Sequence, residues 1–494
     1  MPGEDELIRL RHEKLARLRS RGIDPYPARI ERSHSAADAA GAYERWESAG
    51  SSGEAPKVSV AGRITASRDM GKSSFIDVQD GSGRLQCFVK KDVIGEDAYA
   101  GLADIDLGDY LAVSGPLMRT RSGEISIEAR SIAIIVKALR PPPEKWHGIE
   151  EVEIRYRKRY LDLMSDAAVR EIFRARADVI SGMRRYLDSR GFMEVETPVL
   201  QAEAGAAAAT PFVTHHRALD QDFFLRISLE LHLKRLIIGG YDKVYEIGRI
   251  FRNEGVSWKY NPEFTMLESY EAYADYNDVA RMVEEMVSSI ANDVLGSTSV
   301  QYGDHTLEFA PPWGRVTMRD ALIEYAGIDF EEFRTADKLR EELKRRGFAI
   351  DDGWSWAKLL DEAVSHYVEP KLIQPTFLLD YPIEISPLAK RKSGSPGLVE
   401  RFEGFCAGFE ICNAYSELND PVDQRERFET QRRIAAAGLE EVETLDEDFL
   451  IALEQGMPPT GGLGIGIDRL VMLLTGKTSI REVILFPLLR RRET

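Results

Sequence analysis

Phe251-Arg-Asn-Glu-Gly255 and, after five intervening residues, Asn261-Pro-Glu-Phe-Thr-Met-Leu-Glu-Ser-Tyr270 form the most informative segment of this chain. The pattern is strand, loop, strand. On the second strand alternate side chains share a face, and that face carries Phe264, Met266, Glu268 and Tyr270. Phe264 and Glu268 lie roughly 13 Å apart at the rise of an extended chain. One strand thus offers an aromatic plane at one end and a carboxylate beside a phenol at the other. Such a strip suits an elongated ligand with a flat ring at one end and a cation at the other. Arg252 and Glu254 are expected to share a face on the preceding strand, where an arginine beside a phosphate would act as an electrophilic clamp. A sheet face laced with salt bridges is the plainer alternative.

Two further stretches carry chemistry. Gly461-Gly-Leu-Gly-Ile-Gly-Ile-Asp-Arg469 precedes an apolar helix. Gly464 and Gly466 permit close backbone approach, and Arg469 falls near the helix start. The segment lacks the lysine of a Walker loop and follows no βαβ unit, so neither nucleotide fingerprint applies; taken alone, the glycines fit a packing role. Glu403-Gly-Phe-Cys-Ala-Gly-Phe-Glu410-Ile-Cys-Asn-Ala-Tyr-Ser-Glu417 has the form of a hairpin centred near Cys406-Ala407, which sets Glu403 opposite Glu410. Facing carboxylates repel unless a cation or proton joins them, so a magnesium ion shared with phosphates is an attractive occupant. Two surface carboxylates are the alternative. Asn413, Tyr415 and Glu417 share strand parity and Glu410 does not, so a bulge or twist must intervene if all four meet one ligand. His215 and His216 are adjacent and point oppositely on a strand, which favours a structural role over a shared metal ion.

At 494 residues the chain is long enough for two or three domains. Its 65 basic and 82 acidic residues give a formal charge of −17, at first sight a poor match for a polyanion. Residues 1–140, however, hold 21 of each sign, leaving 44 basic and 61 acidic residues in 141–494. Residues 5–21 are expected to be helical, stopped by Gly22 and Pro25. Within the stretch 9–21 Arg9, Arg11, Lys14, Arg17, Arg19 and Arg21 face the single acid Glu13, as a solvated face or as a phosphate-contacting arm. Residues 33–55 suit a short helix and linker. From Lys57 to about Arg140 five short strands alternate with turns at Gly81-Ser-Gly83 and Arg121-Ser-Gly123. They suggest a small closed barrel, with an oligonucleotide-binding fold the natural candidate, although periodicity alone fits other small barrels.

Pro141-Pro-Pro-Glu-Lys-Trp-His-Gly148 is a linker. Beyond it helices are expected at 165–190, 277–295, 334–347, 421–437 and 466–476. The strands between them do not alternate regularly with helices, which predicts a mostly antiparallel sheet flanked by helices and an α+β chain overall. The acidic start lacks the apolar core of a signal peptide, and no apolar run approaches a membrane span. Cys87, Cys406 and Cys412 provide neither a disulfide framework nor zinc spacing. A soluble cytoplasmic protein is expected.

Together these motifs resemble the bacterial class II lysyl-tRNA synthetases, of class IIb, over nearly the whole chain. Phe251-Arg-Asn-Glu-Gly with Asn-Pro-Glu-Phe-Thr-Met is similar to that class's motif 2, Gly462-Leu-Gly-Ile-Gly-Ile-Asp-Arg469 to motif 3, and Gly191-Phe-Met-Glu-Val-Glu-Thr-Pro198 to motif 1, whose proline marks the dimer interface. Arg159-Tyr-Leu-Asp-Leu and Ser416-Glu-Leu-Asn-Asp420 also match. The resemblance implies a basic helix and linker at 1–55, a five-stranded OB-fold anticodon-binding barrel at 56–140, a linker at 141–155 and a catalytic domain at 156–494. It implies ATP, L-lysine and tRNA(Lys) as substrates, Mg2+ as cofactor and a homodimer.

It also implies roles. Arg252 would hold the α-phosphate and the amino-acid carboxylate, and Glu254 would meet the adenine amino group. Phe264 and Arg469 would sandwich adenine, with Arg469 reaching the γ-phosphate. Tyr260 would join this ATP site where the family usually has His. Glu403 and Glu410 would hold magnesium. Gly205 and Glu230 would receive the α-amino end of lysine, and Glu268, Tyr270, Asn413, Tyr415 and Glu417 would line its side-chain pocket. In the barrel, Arg68, Phe75, Gln86 and Glu124 fall where the family reads the anticodon. Other departures from the family pattern are Thr210 for Arg, Ser228-Leu-Glu230 for Ala-Pro-Glu, and Cys412 at a small-residue position.

The implied chemistry is amino-acid activation followed by transfer to tRNA. It needs no protein nucleophile, in keeping with the lack of a Ser/His/Asp or Cys/His arrangement. Two carboxylates, Glu268 and Glu417, suit an ε-ammonium, and burying them without a cation would cost about 3–5 kcal/mol. Two competing readings meet obstacles. A protein-lysylating paralogue of the superfamily would lack the barrel at 57–140. A non-enzymatic nucleic-acid module would not need Arg252, Glu403, Glu410 and Arg469.

Overall fold

The computed structural model describes residues 3–143, 151–203, 209–351, 353–436 and 446–490. It divides into two compact units, Met1–Glu150 and Glu151–Thr494.

In the first unit, strands β1 (Lys57–Asp69), β2 (Ser73–Gln79), β3 (Arg84–Lys90), β4 (Tyr110–Arg119), β5 (Ile125–Glu128) and β6 (Ser131–Val136) pair in the order β1-β2-β3-β5-β4-β6. An additional β1–β4 pairing closes the first five into a ring, and β6 is a sixth strand, on β4, that the sequence pattern did not announce. Alternating inward residues, among them Val58, Val60, Ile76, Val78, Leu85, Cys87, Leu111, Val113 and Ile127, fill the interior. The Glu4–Ser20 helix is bound to this barrel by its own bases. Arg11 donates to the carbonyls of Ala138 and Leu107 at 2.9 Å each, Lys14 pairs with Asp106 at 2.7 Å, and Arg17 and Arg21 both reach Asp104. Four of the six bases are therefore spent on docking. Asp104 and Asp106, distant in sequence, recruit these cations, while the Arg17 and Arg21 side chains stay about half exposed.

The second unit is built on an eight-stranded sheet. Its order is Gly314–Thr317, Thr376–Leu379, Arg401–Cys406, Phe409–Ser416, Thr460–Gly466, Glu263–Ala272, Lys243–Phe251, Met193–Glu194. Only the two outermost pairings are parallel. The Ala167–Ser189 and Tyr276–Leu295 helices cover one face, where Val179, Met183, Leu187, Val283, Met286 and Ile290 pack against Leu463, Ile465 and Ile411. The helices expected at 334–347, 421–437 and 466–476 appear as Ala336–Arg345, Pro421–Ala436 and Ile467–Leu474. The opposite face of the central strands carries the polar residues singled out above. No described helix is long and apolar enough to cross a membrane.

Candidate active site

Register places the site residues in rows across four strands. Glu268 pairs with Gly464, Gly464 with Asn413, and Asn413 with Glu403. The adjacent row runs Tyr270, Gly462, Tyr415, Arg401. Paired residues of a sheet share a face, so these side chains stand together over a central strand whose facing positions are glycines.

The glycines divide the labour differently from the sequence expectation. A Cβ on Gly462 would lie 1.8 Å from Glu417 Oε1 and 2.7 Å from the Tyr270 ring, and one on Gly461 would lie 2.7 Å from Val279. The close approaches are therefore at Gly461 and Gly462. Gly464 has no neighbour nearer than 3.9 Å and Gly466 none within 4 Å, so both floor open space.

The carboxylate pair is also corrected. Glu403 faces Asn413, while Glu410 pairs with Phe405, because Ile411 is an extra residue between the Gly404–Cys412 and Phe405–Glu410 pairs. The turn falls at Ala407-Gly408, both with positive φ. This bulge turns Glu410 to the face of Asn413 and Tyr415 and leaves Ile411 and Cys412 both buried. Glu403 and Glu410 thus share a face as diagonal neighbours.

At one end of the site lies a buried acidic pocket. Glu268 is 4% exposed and accepts hydrogen bonds from the Leu229 N–H at 2.9 Å, the Ser228 hydroxyl at 3.2 Å and the Tyr270 hydroxyl at 3.1 Å. The Ala-Pro of the family pattern could supply neither of the first two donors. Burial, and then the charge of Glu230, push the Glu268 carboxyl up to about 7. Glu417 is buried too. Its Oε2 meets the ammonium of Lys234, and its Oε1 has no hydrogen-bond partner among the described residues. Burial lifts its carboxyl well above the usual range; Lys234 opposes the shift, and Glu230 and Glu268 add to it. Lys234, wholly buried, also pairs with Glu230 at 2.5 Å. The sequence reading missed Lys234, although its spacing of four from Glu230 on one helix was a signal. Gly205 lies outside the described residues.

At the other end the groups are basic and aromatic. The Lys243–Phe251 strand ends before Arg252, so Arg252 and Glu254 sit in the loop and share no strand face. Arg252 donates to the Ile227 carbonyl at 3.3 Å and lies 5.4 Å over the Phe264 ring, while Glu254 is exposed. Arg469 donates to the Glu410 carbonyl at 2.9 Å and to its carboxylate at 3.1 Å, and lies 5.4 Å over Tyr260. Glu403 accepts from the Tyr381 hydroxyl at 2.9 Å and from Arg401 at 2.5 Å. Arg401, a second residue the sequence reading missed, also donates to Asn413 at 3.2 Å. Its parity with Glu403 was the available signal. Burial raises the Glu403 carboxyl well above its usual range; Arg401 opposes this and the like charge of Glu410 adds to it. Two carboxylates sharing a face, each balanced by one arginine, are a donor set that fits a magnesium ion whose other ligands are phosphate oxygens and water.

On the barrel, Arg68 pairs in register with Phe75, and Phe75 stacks on Phe88 with ring centres 4.6 Å apart. Gln86 accepts from the Ser126 hydroxyl at 3.0 Å, and Glu124 pairs with Arg84 at 2.6 Å. Phe88 lies beneath the Lys90 ammonium. His215 bonds Asp222 across an exposed hairpin.

Residues 151–490 match the family model of class II tRNA synthetases (D, K and N). The chain belongs to the class II tRNA synthetases. Residues 58–135 of this synthetase match an OB-fold nucleic acid binding domain. The synthetase is 56% identical over 493 residues to a lysine–tRNA ligase of Dehalococcoides mccartyi, covering 99% of this chain and 98% of the relative. It is 52% identical over 493 residues to that of Moorella thermoacetica, covering 100% and 99%. With that of Bacillus subtilis the identity is 49% over 488 residues, covering 99% and 98%.

Proposed function

We infer that this synthetase is a lysine–tRNA ligase, which activates L-lysine with ATP and transfers it to the 3′ end of tRNA(Lys). The observation that carries the amino-acid choice is the buried Glu417, one oxygen of which lacks a partner beside Glu268 and Tyr270. A buried acceptor of this kind selects a cationic side chain, because a neutral one leaves it unpaired.

In the reading we propose, Glu417 and Tyr270 receive the ε-ammonium. Glu268, fixed by its donors, shapes the pocket with Asn413 and Tyr415. Glu230 and Gly205 receive the α-amino group. Arg252 holds the lysine carboxylate against the α-phosphate, adenine stacks on Phe264, and Glu254 meets its amino group. Arg469 and Tyr260 reach the distal phosphates. The lysine carboxylate attacks the α-phosphorus in line and pyrophosphate leaves. The terminal ribose hydroxyl of tRNA then attacks the mixed anhydride and AMP leaves. Positioning and charge neutralisation carry the rate. Glu403 and Glu410 would hold magnesium, which when bound neutralises charge on the phosphates.

Arg68, Phe75, Gln86 and Glu124 are proposed to read the anticodon on a barrel we place at 56–140, after a helix and linker at 1–55; a linker at 141–155 leads to a catalytic domain at 156–494. A homodimer through the segment ending at Pro198 is part of the same reading, and exposed Met193, Val199 and Leu200 support it. Three buried free cysteines suit the reducing cytoplasm.

Amino-acid-dependent ATP–pyrophosphate exchange across all twenty amino acids tests the proposal. Exchange with lysine is expected; exchange with aspartate and none with lysine would overturn it.

A further inference from the structure

Lys234 stands inside the pocket yet has no part in the chemistry described. It lies on the Glu230–Ile238 helix, one turn beyond Glu230, and its side chain is wholly inaccessible to solvent. Its ammonium meets Glu230 Oε1 at 2.5 Å and Glu417 Oε2 more closely still. Those two carboxylates come from chain segments nearly 190 residues apart. On the proposed reading they also serve opposite ends of the ligand, Glu230 the α-ammonium and Glu417 the ε-ammonium.

The charge count gives this bridge a meaning. With all three ionised, Glu230, Glu268 and Glu417 bring three negative charges and Lys234 one positive, so the deprotonated pocket is two positive charges short of neutrality. A substrate with α- and ε-ammonium groups supplies both, while its carboxylate is met by Arg252. One free place is marked geometrically: Glu417 Oε1 is unpartnered and inaccessible, whereas Glu268 already accepts from three internal donors. The other groups facing Lys234 and its partners are Tyr270, Tyr415 and the Phe449 ring, 6.0 Å from the ammonium. Another cation, Arg401, lies 5.7 Å from the Tyr415 ring, and it is already paired with Glu403. Buried like charges otherwise settle by taking up protons, and a protonated Glu417 cannot accept from an ammonium in the same way.

We propose that Lys234 is a positioning residue for substrate selection: its ammonium clamps Glu230 and Glu417 as carboxylates, leaving a pocket that only a diammonium amino acid completes. Lys234 does not touch the reacting atoms; it acts through the two glutamates. The proposal rests on the lysine-pocket reading above.

The test uses the full-length synthetase in lysine-dependent ATP–pyrophosphate exchange between pH 6.5 and 8.5. Three variants are compared: Lys234→Met, Lys234→Gln and, as control on the pocket itself, Glu417→Gln. In the wild type, lysine KM should fall as pH rises and the pocket carboxylates deprotonate. Without the internal cation those carboxylates hold protons more tightly. The falling limb of KM should then move up by about one pH unit or more in the Met and Gln variants, making KM at neutral pH about tenfold higher or more. ATP KM and kcat at saturating lysine should stay within a few fold of wild type. A limb that stays in place, with kcat alone reduced, would overturn the proposal. Lys234→Gln still donates to the carboxylates and covers the case in which Lys234→Met does not fold. Failure of both to fold makes Lys234 a folding residue and also overturns it. If instead Glu417→Gln leaves lysine KM unchanged, the pocket reading itself fails, a result distinct from an unmoved limb in the Lys234 variants.

Discussion

Gly462→Ala adds one methyl group at a point the structure leaves no room for. The glycine φ is outside the left-handed region, so alanine is conformationally acceptable and the effect is steric. The new Cβ would fall 1.8 Å from Glu417 Oε1, against ordinary contact from 3.4 Å, so the carboxylate must retreat by about 1.6 Å. The Tyr270 ring, 2.7 Å from the same point, must move with it. A shift of that size breaks alignment with both Lys234 and an incoming ε-ammonium. Losing a hydrogen bond to a charged group costs about 1.5–3 kcal/mol, equivalent to a rise in lysine KM of roughly 10- to 150-fold. Crowding should also lower stability by about 1–3 kcal/mol. Lysine and ATP titrations in pyrophosphate exchange, with a thermal melt, separate the two effects. ATP KM should hold, since Gly464 and Gly466, not Gly462, floor the open part of the trough. A folded Gly462→Ala enzyme with unchanged lysine KM would refute the assignment of Glu417 to the pocket.

Three further outcomes follow from the same geometry. Glu268 is raised to about 7 by burial and by Glu230, so the folded apo protein binds more protons than the unfolded chain between the ordinary carboxyl range and about 7. The contribution of this group to stability is full below that range and is lost as pH rises through about 7. The lysine-induced increase in Tm should therefore grow from pH 6 to 8, and a constant increase would contradict a deprotonated bound pocket. Arg252→Ala should lower kcat by about 100-fold or more while changing lysine KM much less, as expected for a clamp on developing charge; single-turnover adenylate formation checks this. Phe75→Ala should weaken tRNA charging by about 1–3 kcal/mol, the usual worth of one stacked base, and leave pyrophosphate exchange intact. Loss of exchange as well would make Phe75 a folding residue.

Much of the site was legible because its signals are local. Strand parity alone put Phe264, Met266, Glu268 and Tyr270 on one face, and the structure keeps them there. Parity also required a bulge if Glu410 was to join Asn413 and Tyr415, and Ile411 is that bulge. The hairpin centre was misplaced because a bulge changes the count on one strand only, which composition does not reveal. Lys234 and Arg401 were missed because a cation beside a glutamate reads as a surface pair until its burial is known. The basic helix was ambiguous for the same reason, since Asp104 and Asp106 are about ninety residues away.

The sequence by itself determined five of the six barrel strands, the longest helices and the motifs that mark a class II tRNA synthetase. These depend on periodicity, turn residues and short-range spacing, which a linear chain records directly. Only the tertiary structure decided which charges are satisfied. It shows that the helix bases grip the barrel, that Glu268 has its donors, and that Glu417 is buried with one oxygen unpartnered and Lys234 on the other. Burial sets the free energy of a charge, and it is a property of the packed neighbours that distant segments bring together.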